Sequence, residues 1–253
     1  MVHLGNSNIV GNDSQHQWPQ PAHVYRALIG SGIFRRIDGD TAAQLLTQLR
    51  PVYFPRGTVI FAQDDFGDEL HVIVWGKVKV GYRSLDGREN VLTVMGPSEI
   101  FGVISLFDGG RRSFSATALT DVHTVPIERE QLLAWMEVWP EITFQLLRVL
   151  ARRAEATSNY LRDMLVTDVP CRVAKRLVQL AKRFGIKEGE TVRVKHDLSP
   201  YEMAQLVGAS TDTVAAVLGE FADRAWILLD GESIVIRDVR KLLEFPDRGS
   251  RQP

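Results

Sequence analysis

Between Val52 and Ile127 the chain is written in short runs of Val, Ile, Phe and Thr separated by glycines at 57, 67, 76, 87, 96 and 102, and after Pro140 that grammar stops. Short runs bounded by turn residues build strands, and many of them at this spacing build an antiparallel sandwich or barrel. "LDGR" at 85–88 marks a hairpin inside it, because Asp-Gly suits a two-residue loop. Past Pro140 the period is helical: Leu147, Leu150, Ala154, Thr157, Leu161 and Met164 are spaced 3, 4, 3, 4, 3. Such an a/d stripe either lies on its own domain or forms a two-stranded seam with a second copy. The charged opposite face, with Arg152, Arg153, Glu155 and Arg162, favours the homodimer.

The last third spells out a small module. A helix over 169–184 closes on Gly185. Ser199 with Glu202 three residues on forms a capping box, and Pro200 stands at the first helical position, where its missing N–H costs nothing. This helix ends at Gly208, and Ser210 caps a second one running to about 224. Two short helices across a three-residue turn are a helix-turn-helix or an ordinary helical hairpin in a core. The hairpin "ILLDGESIVI" that follows supplies a wing and favours the former. The expected chain is therefore α+β in four parts: a mobile polar extension over 1–20, a β domain over 21–140 entered through short helices near 22–29 and 41–49, a dimer helix over 141–166, and a winged module over 167–253.

Composition narrows the function classes. No apolar run reaches the roughly 20 residues that cross a bilayer, and the first residues lack a basic start followed by an apolar core. Cys171 is the single cysteine, so disulfide and iron–sulfur frameworks are excluded and a cytoplasmic address with no membrane partner is expected. The histidines at 3, 16, 23, 71, 123 and 196 show no metal-ligating spacing, and neither a metal site nor catalysis is expected. The net charge is −1, divided as −2 over 1–164 and +1 over 165–253, so DNA contact would need a local patch. The loop "FGVISLFDGGRRSFSAT" at 101–117 joins glycines, two arginines and hydroxyls between strand-like flanks, and reads as a phosphate cradle.

Three stretches, "FPRGTVIFAQDDFGDELHVIVWGKVKV", "TDVPCRVAKRLVQLAKRFG" and "EMAQLVGASTDTV", resemble the cyclic-AMP receptor/fumarate-nitrate regulator (CRP/FNR) family of bacterial transcription regulators. "DGRENVLTVMGPSEIFG" and "LLRVLARR" look closest to its actinobacterial cyclic-AMP branch. The resemblance implies a jelly-roll cyclic-nucleotide domain, a long dimer helix and a winged helix-turn-helix, with no cofactor beyond a candidate cyclic nucleotide effector. It places phosphate contacts on Arg112 and Ser113, base contacts on Thr157 and Ser158, and Gly102 in the pocket wall. Guanidinium offers phosphate a planar fork, which suits Arg112 to that role. Duplex DNA, a second copy of the chain and RNA polymerase are the implied partners.

The sequence departs from that family in two places. The ribose-binding carboxylate falls on Val103, which accepts no hydrogen bond; the loss of a charge-assisted bond costs about 1.5–3 kcal/mol. Weak cyclic AMP binding, or another ligand, is expected. The extra Arg111 would suit a cyclic dinucleotide, or it is a solvated surface arginine. Along the second helix, Ser210, Thr211, Asp212, Thr213 and Ala216 face DNA, and the family's two cationic readers are replaced by Thr211 and Ala216. Phosphate contacts then fall to Arg172 and Arg176, with Lys175, Lys182, Arg183, Arg193 and Lys195 around them. The alternative function is a ligand-independent or protein-interaction regulator that has lost specific operator reading.

Overall fold

A computed structural model of the protein describes residues 19–84 and 87–244. Two helices, α1 (Pro21–Gly30) and α2 (Gly39–Thr47), lead into the strands. Asp38 caps α2 by accepting the Thr41 N–H, which satisfies a donor that the first turn leaves orphaned. Eight strands follow: β1 (Val52–Phe54), β2 (Val59–Phe61), β3 (Glu69–Trp75), β4 (Val78–Arg83), β5 (Glu89–Met95), β6 (Ile100–Phe101), β7 (Ser115–Ala118) and β8 (Val122–Glu128). They form two antiparallel four-stranded sheets in the orders β1-β8-β3-β6 and β2-β7-β4-β5. That is the sandwich the strand grammar predicts. β4 and β5 pair out to Arg83 and Glu89, as a hairpin requires, although Leu85 and Asp86 of the expected turn lie outside the described residues, as do residues 1–18. Gly76, at φ +86°, turns β3 into β4; a Cβ there would sit 2.1 Å from the Asp121 carbonyl, so only glycine fits.

Two helices that the strand pattern does not announce decorate the sandwich: α3 (Val103–Asp108), entered through Gly102 at φ +83°, and α4 (Arg129–Val138). The long helix α5 (Pro140–Val166) starts on a proline at its first position and runs 27 residues. Its first turns anchor it, with Ile142 and Leu146 buried beside Phe34, Leu132 and Trp135. Farther along, Leu147 and Leu161 stay 59% and 58% exposed, whereas Leu150 packs on the same core cluster. Met164 lies against Gly208, so the expected stripe is partly spent within the chain.

α6 (Val169–Phe184) is capped by Asp168, which accepts the Cys171 N–H. α7 (Pro200–Val207) carries both bonds of the expected capping box, and Gly208 ends it at φ +74°. α8 (Thr211–Asp223) starts at Ser210, whose hydroxyl accepts the Thr213 N–H at 3.1 Å. The wing, β11 (Ile227–Asp230) and β12 (Ser233–Ile236), does not stand alone. β9 (Gly185–Glu188) and β10 (Thr191–Lys195) complete a four-stranded sheet in the order β11-β12-β10-β9, and a short α9 (Val239–Leu243) closes the described chain. None of the described helices is long and apolar enough to cross a membrane.

The sandwich and the winged module share one apolar cluster. Val91, Val94 and Leu119 of the sandwich belong to the cluster of Val173, Leu177, Met203, Val207 and Phe221. Polar contacts ring it: Lys77 Nζ lies 2.5 Å from Asp197 Oδ2, Lys79 Nζ 2.6 Å from Glu202 Oε1, and an Arg183 nitrogen 3.1 Å from Glu99 Oε1. The Gln205 amide donates to the Glu89 carbonyl.

Candidate functional site

The cradle at 101–117 folds around one arginine. β3 pairs with β6 by His71 opposite Phe101, and Gly102 then turns the chain into α3. The loop beyond α3 brings Arg112 back between them. Its Nη1 donates to the Gly102 carbonyl at 2.8 Å and to Ser105 Oγ at 2.9 Å, while Nη2 donates to the Glu69 carbonyl at 2.8 Å. The guanidinium sits 4.1 Å above the Phe61 ring. Two glycines make this room: a Cβ at Gly67 would lie 2.0 Å from Arg112 Nε, and one at Gly102 2.7 Å from Nη1. Arg112 is buried, and its Nε has no hydrogen-bond partner among the described residues. Burial pulls its pKa below the ordinary guanidinium value, against the opposing pull of Glu69, Asp68 and Asp65. A buried cation with an unsatisfied N–H suits an anion, because an orphaned buried donor costs about 1–3 kcal/mol. The residues present therefore fit a phosphate group.

The other expected pocket residues are placed differently. Val103 was expected at the pocket's sugar-contact position as a defect, but its side chain is buried in the apolar cluster with Leu70, Val72 and Leu106. The reason is the turn at Gly102, which starts a helix and swings residue 103 away from the strand's alternation. Ser113 is exposed. Thr157 and Ser158 are exposed on α5, and the Thr157 hydroxyl donates back to the Arg153 carbonyl at 3.0 Å. Within one chain these hydroxyls are not joined to the cradle by any hydrogen bond among the described residues. The link runs instead through Arg153, whose Nη2 donates to the Ile100 carbonyl on β6.

Of two side chains beside the cradle, sequence reasoning weighed His71 as a metal ligand and did not single out Glu69. His71 is buried, stacked on Phe101 with centroids 5.0 Å apart and planes 11° apart. Its Nδ1 shares a hydrogen bond with Thr124 Oγ1 at 3.0 Å, and its Nε2 with Glu69 Oε1 at 3.1 Å. The hydrogen bond from His71 holds Glu69 below the usual carboxylate range in spite of desolvation. The signal was available in the alternation of β3, since residues 69 and 71 share a face.

In the winged module, α8 presents Asp212, Thr213, Ala215 and Ala216 to solvent, with Thr211 half-buried at its start. The Ser210 and Thr213 hydroxyls, 2.7 Å apart, are engaged in the cap. Arg172 and Arg176, expected on DNA phosphates, are held by the protein itself. Arg172 donates from Nε to the Val207 carbonyl, from Nη1 to that of Thr167 and from Nη2 to that of Gly208. Carbonyls at helix ends lack intrahelical partners, and a five-donor fork satisfies several at once. Arg176 lies 4.5 Å over the Tyr160 ring and donates to Gln179 Oε1 at 2.7 Å; burial lowers its pKa. Lys175 pairs with Asp163, Arg183 with Glu99, Arg193 with Glu188 and Asp230, and Lys195 with Asp197, while Lys182 is exposed.

Comparison with known proteins agrees with both halves of this geometry. The family model of the cyclic nucleotide-binding domain matches residues 51–138, and that of the Crp-like helix-turn-helix domain matches residues 171–245. A CRP-like cAMP-activated global transcriptional regulator of Mycobacterium tuberculosis is 53% identical over 215 residues, covering 85% of this chain and 96% of the relative. The cyclic AMP receptor protein of Thermus thermophilus is 31% identical, covering 85% of this chain and 97% of the relative. Among solved structures, the catabolite activator protein of Thermus thermophilus superposes with a TM-score of 0.50 at 30% identity, covering 84% of this chain and 97% of that one. FixK2 from Bradyrhizobium japonicum shares the fold with a TM-score of 0.70 at 18% identity, covering 77% and 96%.

Proposed function

Since the chain belongs to the CRP/FNR family of transcription regulators, we propose that it works as a homodimer, in the cytoplasm, and couples a cyclic nucleotide at Arg112 to DNA reading by α8. The family is one of regulators, not enzymes. The observation that carries the ligand half is the buried Arg112, whose Nε has no partner among the described residues, cradled by Gly67 and Gly102 within a cyclic nucleotide-binding fold. Cyclic AMP is the first ligand to test, with Ser113 as a second phosphate contact and Thr157 and Ser158 reaching the base once two chains pair through α5. Its affinity falls short of the family's to the extent that nothing replaces the carboxylate absent at 103.

Support for pairing comes from the exposed Leu147 and Leu161, which a monomer would leave in water. In such a dimer the two α8 helices enter successive major grooves about 34 Å apart. Arginine to guanine is the commonest specific contact, worth about 1–3 kcal/mol of discrimination per bidentate pair, so Thr211 and Ala216 leave sequence preference shallow. RNA polymerase is the partner this reading implies. Calorimetry of the full chain against cyclic AMP, cyclic GMP and cyclic dinucleotides, followed by selection from a randomised duplex library at two salt concentrations, tests the proposal. Ligand-dependent retention of DNA is expected. No DNA retained at low salt, with or without nucleotide, would overturn it in favour of a protein-interaction regulator.

A further inference from the structure

The carboxylate absent at position 103 has a counterpart across the strand pair. β3 meets β6 with Val72 opposite Ile100 and His71 opposite Phe101. The pairing ends at Phe101, where Gly102 turns the chain into α3, and Glu69 stays beside that turn: Arg112 donates from Nη1 to the Gly102 carbonyl and from Nη2 to the Glu69 carbonyl. The contact is real on the main chain: a Cβ at Gly102 would lie 3.0 Å from the Glu69 carbonyl. Glu69 and Val103 nevertheless face different ways. Val103 goes into the cluster with Leu70 and Val72, whereas Glu69 shares its face with His71 and so with Phe101, Phe61 and the Arg112 guanidinium resting on that ring.

His71 fixes Glu69 there. The ring is stacked on Phe101 and held at Nδ1 by Thr124, so its Nε2 meets Glu69 Oε1 from a buried position. Glu69 is itself 38% exposed, open to a ligand. A carboxylate offers about four acceptor positions, of which His71 occupies one. The depressed pKa of Glu69, set first by the His71 hydrogen bond, keeps it ionised at neutral pH.

We propose that Glu69, oriented by His71, accepts the free 2′-hydroxyl of a 3′,5′-cyclic ribonucleotide whose phosphate meets Arg112, and so supplies from β3 the acceptor that residue 103 lacks. The inference rests on the cyclic nucleotide reading above and adds the residue that tells ribose from deoxyribose. His71 is a positioning residue in this scheme.

The test is calorimetric titration of the full chain with cyclic AMP and with 2′-deoxy cyclic AMP, read as the ratio of the two affinities. General damage to the fold lowers both affinities and leaves that ratio alone. The unmodified chain is expected to prefer the ribonucleotide by about ten- to a hundredfold, the worth of one charge-assisted hydrogen bond. Glu69→Ala should bring the ratio near one, Glu69→Gln should restore part of it through the amide oxygen, and His71→Phe, which keeps the stack, should reduce it. An undiminished ratio in Glu69→Ala overturns the assignment while leaving nucleotide binding standing. Failure of the unmodified chain to bind either nucleotide overturns both.

Discussion

Lys79 Nζ lies 2.6 Å from Glu202 Oε1, and Glu202 Oε2 accepts the Ser199 N–H at 2.9 Å, so a cation on β4 grips the carboxylate that caps the first helix of the helix-turn-helix. Desolvation works to raise the pKa of Glu202, but the Lys79 and Ser199 hydrogen bonds outweigh it and lower it. Its contribution to stability is thus present above the ordinary carboxylate value and lost as pH falls through the folded one.

Lys79→Met should cost about 1–3 kcal/mol, the range for leaving a largely buried partner unsatisfied. Hydrogen exchange should show the loss first in α7 amides and in β5, which packs on them. Unchanged protection of α7 would mean that the pair contributes nothing to docking.

His196 is buried close to Lys77, and burial, the largest cause, lowers its pKa. Above the ordinary histidine value of about 6.5 both folded and unfolded chains hold it neutral. As pH drops below that value the unfolded chain takes up the proton first, and stability falls until the folded pKa is reached. Urea unfolding between pH 7.5 and 5.5 should show this decline. His196→Asn, which keeps an acceptor for the Leu198 N–H, should flatten it; an equally steep decline in that variant would assign it to another group.

In the proposed pairing through α5, Leu161→Asp should turn dimers into monomers, because it would set a charge into the seam while disturbing nothing buried in the single chain. Sedimentation at micromolar concentration reads the outcome. A monomer before any substitution would refute the seam.

Arg172→Ala removes three donors from helix-end carbonyls and should destabilise the winged module by roughly 1–3 kcal/mol. A lost phosphate contact would reduce the slope of log affinity against log salt by about 0.9 on duplex DNA. The expected result is a lower melting temperature with an unchanged slope, and a shallower slope would return Arg172 to the DNA interface.

Gly208 and Gly219 should respond oppositely to alanine. At Gly208 a Cβ meets Met164 Cε at 2.5 Å on a backbone of φ +74°, which costs about 1–2 kcal/mol for the left-handed conformation alone. At Gly219, mid-helix with open space around it, alanine should stabilise by about 0.5–1 kcal/mol. Thermal unfolding of the two variants checks both signs.

How far the sequence alone discloses this molecule depends on range. The capping box at Ser199 and Glu202, the helix end at Gly208 and the strand punctuation are local devices, and each is found where its motif stands. The loop at 101–117 was legible as a candidate cradle because glycines, arginines and hydroxyls stand together in it, whereas the choice of Arg112 within it came from the family resemblance. Val103 was not legible, since its direction depends on a turn at Gly102 that interrupts the strand period. Glu69 was missed because its place beside the Gly102 turn comes from a tertiary contact through Arg112 and His71, written in no contiguous run. The arginines of α6 look free in sequence, and only the packed helix ends reveal that Arg172 already has three acceptors.

The apolar cluster that joins Val91, Val94 and Leu119 to the winged module sets a limit on modularity. A sandwich and a winged module that share one interior cannot melt as separate calorimetric units in this form, and they are not interchangeable parts. A chimera that moved this module onto another sandwich would leave the apolar surface of α7 without its lining. It would have to carry the buried Val91 and Val94 of β5 along with the helices, so the smallest transplantable unit of the winged module extends backwards into the sandwich.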